Sequence, residues 1–124
     1  MSQDIVADAL NQIMNAKKAR KNSITMKHSS KLLLSVLALA KLKGYITDYK
    51  SDSDGLKINI GKVNGCQAIK PRFMVRAEEL DKYVKRYLPS KDMGTIIIST
   101  SEGLMTHQTA QDKNIGGSLI AYLY

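Results

Sequence analysis

The side chains best suited to covalent chemistry in this sequence are one cysteine and two histidines. Cys66 is the sole cysteine of the 124 residues, and His28 and His107 are the histidines that could serve as its base. A nucleophilic site requires thiol and base side by side, and the sequence leaves that pairing open. Because such residues in a small domain are usually structural, we predict that the chain is not an enzyme.

Metal and cofactor sites are not predicted either. A single cysteine cannot form an intrachain disulfide or an all-cysteine metal site, and it favours a reducing, cytoplasmic compartment. Gly61-Lys62 precedes Val63, so the phosphate-binding loop motif is absent. The longest apolar run, residues 32–42, is too short to span a bilayer, and acidic residues near the N-terminus argue against a signal peptide.

A second group of chemically capable residues is the hydroxyl segment STSEG, residues 99–103. On a tight turn, Ser99, Thr100 and Ser101 expose donors and acceptors, and the glycine lets a ligand's backbone approach closely. The same hydroxyls could instead satisfy the turn or cap a helix, and both interpretations stay open. Gly116-Gly117 has the same two interpretations, a tight turn or a clearance for an RNA backbone.

The charge is concentrated in one part of the chain. Nineteen Lys and Arg against eleven Asp and Glu give a net charge of +8. Between residues 17 and 43 eight residues are basic and none is acidic: Lys17, Lys18, Arg20, Lys21, Lys27, Lys31, Lys41 and Lys43. Such a patch favours a polyanionic partner, because neutralised phosphates release counterions. With one Phe and no Trp, stacking on single-stranded bases is less favoured than binding to shaped, folded RNA.

The elements that position these residues follow from the apolar patterns, which predict a mixed α/β (α+β) fold. A helical stripe over residues 4–16 is followed by a basic connector from Lys17 to Lys27, in which Ile24 and Met26 alternate as in a short strand. Ser29 or Ser30 can cap a second helix that Gly44 ends. Residues 45–50, 56–60 and 67–70 then predict a three-stranded meander against which the helices pack.

Pro71 cannot donate to a central strand, so we place a subdomain boundary near residue 68. The N-terminal α/β subdomain is 1–68 and the C-terminal subdomain is 69–124. In the second, we predict a helix over 78–88, a buried strand over 94–100, a short polar helix over 106–113 and a closing strand after Gly117. Together these make a small antiparallel sheet with short helices.

Several ordered motifs resemble one known family. They are the C-terminal stretch from GTIIISTSEG through GGSLIAYLY (94–124), ADALNQIMNA (7–16), HSSKLLL (28–34) before KGYI (43–46), and AIKPRF (68–73). In this order they resemble the small ribosomal subunit protein eight family, archaeal type, over nearly the whole chain. The resemblance implies a two-subdomain, non-catalytic protein of the cytoplasmic ribosome that binds central-domain small-subunit rRNA and helps to assemble the platform.

The resemblance also implies site residues and partners. The C-terminal surface that recognises an irregular rRNA helix would comprise Ser99, Thr100, Ser101, Gly103, Gly116 and Gly117. The N-terminal residues that hold RNA backbone would be Asn15, Lys17, Lys18, Ser30 and Lys31. Neighbouring small-subunit proteins are further expected partners, and some family members bind their own messenger RNA to repress translation.

Two alternatives remain from the residues alone. The basic segment would also suit a DNA-binding architectural module, which competition with duplex DNA would distinguish from an RNA-binding protein. A hydrolase that uses Cys66 is the third interpretation, and alkylation of the thiol without effect would remove it.

Overall fold

The computed structural model describes residues 5–53, 55–69, 74–89 and 93–124. The chain divides into two compact units, Met1–Cys66 and Gln67–Tyr124. Both units combine helices with antiparallel strands, which confirms the predicted mixed α+β class. Pro71, at which we expect the chain to leave the first sheet, and most of the AIKPRF motif lie outside the described residues.

The first unit contains α1 (Ile5–Lys18), β1 (Ser23–Met26), α2 (Lys31–Leu42), β2 (Ile46–Asp52) and β3 (Gly55–Ile60). Its three strands are antiparallel in the order β1-β3-β2. Apolar side chains at helical spacing in α1 and α2 and at alternate positions in β3 are removed from water together. The largest fully buried ones are Leu10, Ile13, Leu33, Leu37, Ile46, Leu56 and Ile58.

The predicted start and end of α2 are confirmed. Ser30 is the N-cap residue, and its side-chain Oγ accepts a hydrogen bond from the backbone N–H of Leu33 at 3.1 Å. After the helix, Gly44 has a φ of +85°, a left-handed conformation that favours glycine. Local signals, the Ser30 cap and the positive φ of Gly44, therefore set where α2 begins and where it ends.

The predicted meander is wrong in its third strand. Residues 67–70 were expected beside residues 56–60, but the strand Cys66–Ala68 belongs to the second sheet. The third strand of the first sheet is β1 instead, in which Ile24 pairs with Ile58 and Met26 with Leu56. The reason is non-local: β3 has a free edge for which two short segments can compete, and the alternating apolar residues of β1 match it.

The remaining elements follow, beginning at the boundary with β4 (Cys66–Ala68): β5 (Met74–Val75), a 3₁₀ turn (Ala77–Glu79), α3 (Leu80–Tyr87), β6 (Thr95–Thr100), β7 (Gly103–Thr106), α4 (His107–Lys113) and β8 (Gly117–Leu123). Strand order is β4-β8-β6-β7, and β5 also pairs with β8. The first four residues of β6 are buried, as its β-branched sequence predicts. The short polar helix is also confirmed, with Thr106 as its N-cap residue.

Candidate nucleic-acid interface

The last turn of α1 carries three of the predicted site residues. The helix continues to Lys18, two residues beyond the predicted end at residue 16, so Asn15, Lys17 and Lys18 lie on one helical turn rather than in a connector. Asn15 and Lys18 are exposed and Lys17 is half-buried. Lysine is a good helix former, and its charge interacts favourably with the C-terminal end of the helix dipole, which explains the extension.

Arg20 ends this helix in an unusual conformation. The N–H of Lys21 donates to the carbonyl of Ala16 at 2.8 Å, and the N–H of Arg20 donates to the carbonyl of Lys17 at 3.0 Å. This is the Schellman pattern, in which glycine normally occupies the left-handed position. Here that position holds Arg20, with a φ of 60°. An arginine costs about 1 kcal/mol more than glycine there.

A groove of about 510 Å³ lies between the end of α1 and β1. Its lining combines polar and apolar groups and comprises Gln12, Asn15, Ala16, Ala19, Lys21, Ser23, Ile24 and Thr25. The groove adds amide and hydroxyl groups to the nearby cations, and these groups can donate to phosphate and sugar oxygens. We call Asn15, Lys17, Lys18, Arg20 and Lys21 the basic surface.

Within the described ranges, the cations of the basic surface have no acidic partner. Among the described residues, Lys17, Lys18, Arg20 and Lys21 form no ion pair, whereas Lys41 pairs with Asp48 at 3.2 Å. Four unneutralised cations near one helix end repel each other, and an anionic ligand would relieve that repulsion. The arrangement therefore suits a phosphate backbone.

Ser30 and Lys31 lie on a different element, at the start of α2. The Ser30 hydroxyl is used as the helix cap, and Lys31 is exposed in the first turn. Among the described residues, no hydrogen bond or ion pair links them to the basic surface. Ser30 thus positions the backbone, while the Lys31 ammonium can reach a ligand.

The hydroxyl segment forms a hairpin rather than a loop that follows the strand. β6 continues through Thr100, which pairs with Gly103, so the exposed turn consists of Ser101 and Glu102. The Thr100 hydroxyl accepts from the Glu102 N–H at 3.1 Å and donates to the Gly103 carbonyl at 2.8 Å. Of the two interpretations of these hydroxyls, the Thr100 hydroxyl therefore satisfies the turn, and the Ser101 side chain is exposed at the tip. Ser99 lies within β6, which ends at Thr100 as predicted.

We call residues 99–103 the hydroxyl hairpin, and its tip is open. Ser101 and Gly103 are exposed, and a β-carbon placed on Gly103 would meet no atom within 4 Å. The φ of Gly103, +112°, accounts for the glycine. The absence of a side chain leaves the backbone accessible to a nucleotide.

Gly116 and Gly117 are close to the same end of the sheet but pack against protein backbone. A β-carbon on Gly117 would overlap the Ser99 carbonyl oxygen, and one on Gly116 would overlap that of Val75. Gly117 is buried as the first residue of β8. The structure therefore brings Gly117 together with Ser99 and Gly116 together with Val75, and it gives both glycines a packing role.

No pattern in the sequence indicates a cation at the hydroxyl hairpin. The ammonium group of Lys113, at the end of α4, lies 3.5 Å from a carboxylate oxygen of Glu102. Both side chains are about half exposed, so the pair is weak and a phosphate could compete for the lysine. Sequence reasoning missed Lys113 because the contact joins distant positions. It did not single out Arg20, because a run of basic residues does not show that one of them has a left-handed backbone conformation.

Two of the three groups considered for nucleophilic catalysis, Cys66 and His107, are buried in structural contacts. The Cys66 thiol is buried and lies 3.5 Å from the carbonyl oxygen of Leu10, and burial raises the pKa of Cys66 to about 12. At neutral pH the thiol is therefore protonated and a poor nucleophile. His107 is buried, and its Nδ1 accepts a hydrogen bond from the Ile96 N–H at 3.1 Å. His28 is exposed.

Comparison with protein families agrees with the motifs. The family model of ribosomal protein S8 matches residues 4–124, which is nearly the whole chain. The match confirms the resemblance seen in the ordered motifs. Separately, none of the helices in the described residues is long and apolar enough to cross a membrane.

Proposed function

The chain belongs to the ribosomal protein S8 family, and on that basis we propose that it binds central-domain rRNA of the small subunit directly and helps to assemble the platform. Membership makes it a structural constituent of the small ribosomal subunit that binds rRNA, in a family of non-catalytic proteins. Its place is on the ribosome, where neighbouring proteins of the small subunit are further partners.

The observation that carries the proposal is the basic surface. Its cations lack ion-pair partners among the described residues, and one of them, Lys21, lines the groove between α1 and β1. The logarithm of the binding constant falls linearly with the logarithm of the salt concentration, and each phosphate that such a cation neutralises adds about 0.7 to 0.9 to the steepness of that line, which we call the salt slope. This surface supplies attraction to the rRNA backbone, with direct contacts from Asn15, Lys17 and Lys18, and with Lys31 contributing from α2.

The hydroxyl hairpin supplies discrimination. Ser101 can donate to and accept from a sugar hydroxyl or a base edge, and Gly103 leaves room for the nucleotide. Thr100 holds the turn in shape, Gly117 packs against Ser99 in the strand that leads to it, and Gly116 packs against Val75. Shape recognition of an irregular helix needs such a fixed, small and polar tip.

The test is binding of the purified full chain to an isolated central-domain rRNA fragment. Unrelated duplex RNA of equal length and duplex DNA serve as competitors at fixed salt concentration. We expect the central-domain fragment to bind about a thousandfold more tightly than either competitor, at the lower end of the range of specific over nonspecific nucleic-acid binding. Equal affinity for all three would contradict the proposal, and preference for duplex DNA would support an architectural DNA-binding protein.

The same surfaces would also accept a messenger RNA segment that folds like the rRNA site. We include the chain's own messenger RNA as a proposed partner on this ground. Competition decides it: the messenger RNA should displace the rRNA fragment completely. Failure to displace it at saturating concentration would exclude this partner.

A further inference from the structure

Four tyrosines of the second unit form a continuous row that the rRNA-binding surfaces do not use. The ring centroids of Tyr83 and Tyr87 are 6.4 Å apart, those of Tyr87 and Tyr122 are 5.2 Å apart, and those of Tyr122 and Tyr124 are 6.2 Å apart. The planes within each pair differ by 15°, 25° and 3° respectively. Two rings come from α3 and two from the β8 end of the chain, so the fold assembles the row from distant residues.

The row lies at the margin of the core. Each of the four side chains is half-buried, packed on one side against buried residues such as Leu80, Val84 and Ile96. The remaining surface faces outward. A purely structural role would require only burial, whereas this row leaves aromatic surface accessible to a partner.

Two cations of α3 border the row. The Lys82 ammonium lies 5.8 Å from the ring centroid of Tyr83, and the Arg86 guanidinium lies 5.4 Å from that of Tyr87. Among the described residues neither cation forms an ion pair. At about 100° per residue, Lys85 points to the opposite side of α3 from the tyrosines, so it is not part of this surface. We call the four tyrosines with Lys82 and Arg86 the tyrosine surface.

The ring stacking favours a protein partner over a nucleic acid. Bases bind aromatic side chains by stacking on an open ring face. Tyr87 and Tyr122 each stack against two other tyrosines, and cations lie over Tyr83 and Tyr87, so a base would compete with these contacts. What remains is partly exposed ring surface with positive charge beside it. Tyrosine and arginine in this combination are typical of the centre of protein interfaces.

We propose that the tyrosine surface docks an acidic segment of another protein in the small ribosomal subunit. Carboxylates of that segment would pair with Lys82 and Arg86, and its apolar side chains would pack on the partly exposed ring surface. Charge complementarity identifies the class of partner, because the surface carries two cations that no described acidic residue neutralises. This role is additional to rRNA binding and uses different residues.

Photocrosslinking in the assembled particle tests the proposal. Lys82 is replaced by p-benzoylphenylalanine in the full chain, which is incorporated into small subunits and irradiated, and the products are identified by mass spectrometry. We expect a crosslink to a protein segment with net negative charge. A crosslink to a nucleotide, a crosslink to a neutral or basic segment, or no crosslink would overturn the proposal.

Charge reversal on the same helix provides the matched control. In the protein that carries p-benzoylphenylalanine in place of Lys82, Arg86→Glu should lower the yield of the crosslink to the acidic segment about tenfold, as expected for the loss of one interfacial charge pair. Lys85→Glu makes the same change in charge away from the tyrosine surface and should leave the yield unchanged. Equal losses in both variants would overturn the proposal.

Binding of the central-domain rRNA fragment to the same variants separates this inference from the proposed function. We expect Arg86→Glu to bind the fragment as the wild type does. A loss of fragment binding on Arg86→Glu would assign the tyrosine surface to RNA and overturn the inference. Absence of fragment binding by the wild type would contradict the proposed function instead.

Discussion

The basic surface and the hydroxyl hairpin use their polar side chains in opposite ways. The cations of the basic surface have no ion-pair partners among the described residues, and Arg20 adopts a conformation that glycine would tolerate better. In the hydroxyl hairpin, the Thr100 hydroxyl is hydrogen-bonded within the turn, and the exposed part is the tip at Ser101 and Gly103. Attraction of the RNA backbone and discrimination between RNAs can therefore reside in different residues, so mutations in the two surfaces should change the salt slope and the RNA preference separately.

The largest expected effect tests the packing beneath the hydroxyl hairpin. Gly117→Ala should lower the free energy of unfolding by about 3 kcal/mol, because the new β-carbon overlaps the Ser99 carbonyl oxygen. Urea denaturation measures it. Gly103→Ala is the control, since its β-carbon meets no atom and only the positive φ costs about 1 kcal/mol. Equal losses would show that Gly117 is not a packing residue.

The next effect tests attraction by the basic surface. Replacing Lys17 and Lys18 together by glutamine should weaken binding to cognate and unrelated RNA alike by about 2 kcal/mol. The salt slope should fall by about 1.5, since two phosphate contacts are lost. Filter binding across a salt series measures both.

The control for this pair changes the same charge elsewhere in the first unit. Lys50→Gln with Lys62→Gln removes two exposed lysines that do not belong to the basic surface. Affinity and slope should stay near the wild-type values. If the control lowered both as much as the Lys17 and Lys18 variant, attraction would depend on net charge and not on this surface.

A smaller effect tests discrimination by the hydroxyl hairpin. Ser101→Phe should reduce the preference for the central-domain fragment over unrelated RNA by about 1.5 kcal/mol, with the salt slope unchanged, because the ring blocks close approach without removing a charge. Ser101→Ala keeps the tip small and separates loss of the hydroxyl from obstruction. A fall in slope with no loss of preference would break the division between the two surfaces.

The smallest effect concerns Arg20, where stability and binding should change in opposite directions. Arg20→Gly should raise the free energy of unfolding by about 1 kcal/mol, because glycine tolerates the left-handed conformation. It should weaken RNA binding by about 1 kcal/mol through the lost cation. Arg20→Gln keeps the strain and loses the charge, so only its binding should fall. A stabilised glycine variant that binds RNA normally would leave the arginine without a role in binding.

Locally encoded features were predictable from the sequence. Ser30 and Gly44 mark the ends of α2 through capping and a positive φ, and the β-branched residues of β6 predict a buried strand. These signals act over a few neighbouring residues, so the printed sequence contains them in full.

Features that depend on distant partners were not predictable. The edge of β3 pairs with β1, and residues 66–68 join the second sheet, because strand partners are chosen by tertiary packing. The approach of Lys113 to Glu102 and the tyrosine row likewise arise from residues far apart in the chain. Among the site residues that the family resemblance implies, some are exposed, such as Lys18 and Ser101. Others, such as Ser30 and Gly117, form contacts within the protein.

A structure of the assembled small subunit at side-chain resolution would test the central claim most directly. We expect the Ser101 hydroxyl and the Gly103 backbone to contact a central-domain nucleotide, and Lys18 and Arg20 to lie within hydrogen-bond distance of phosphate oxygens. If the hairpin tip faced solvent or protein with no nucleotide beside it, the hydroxyl hairpin would not recognise the rRNA, even if the basic surface touched RNA.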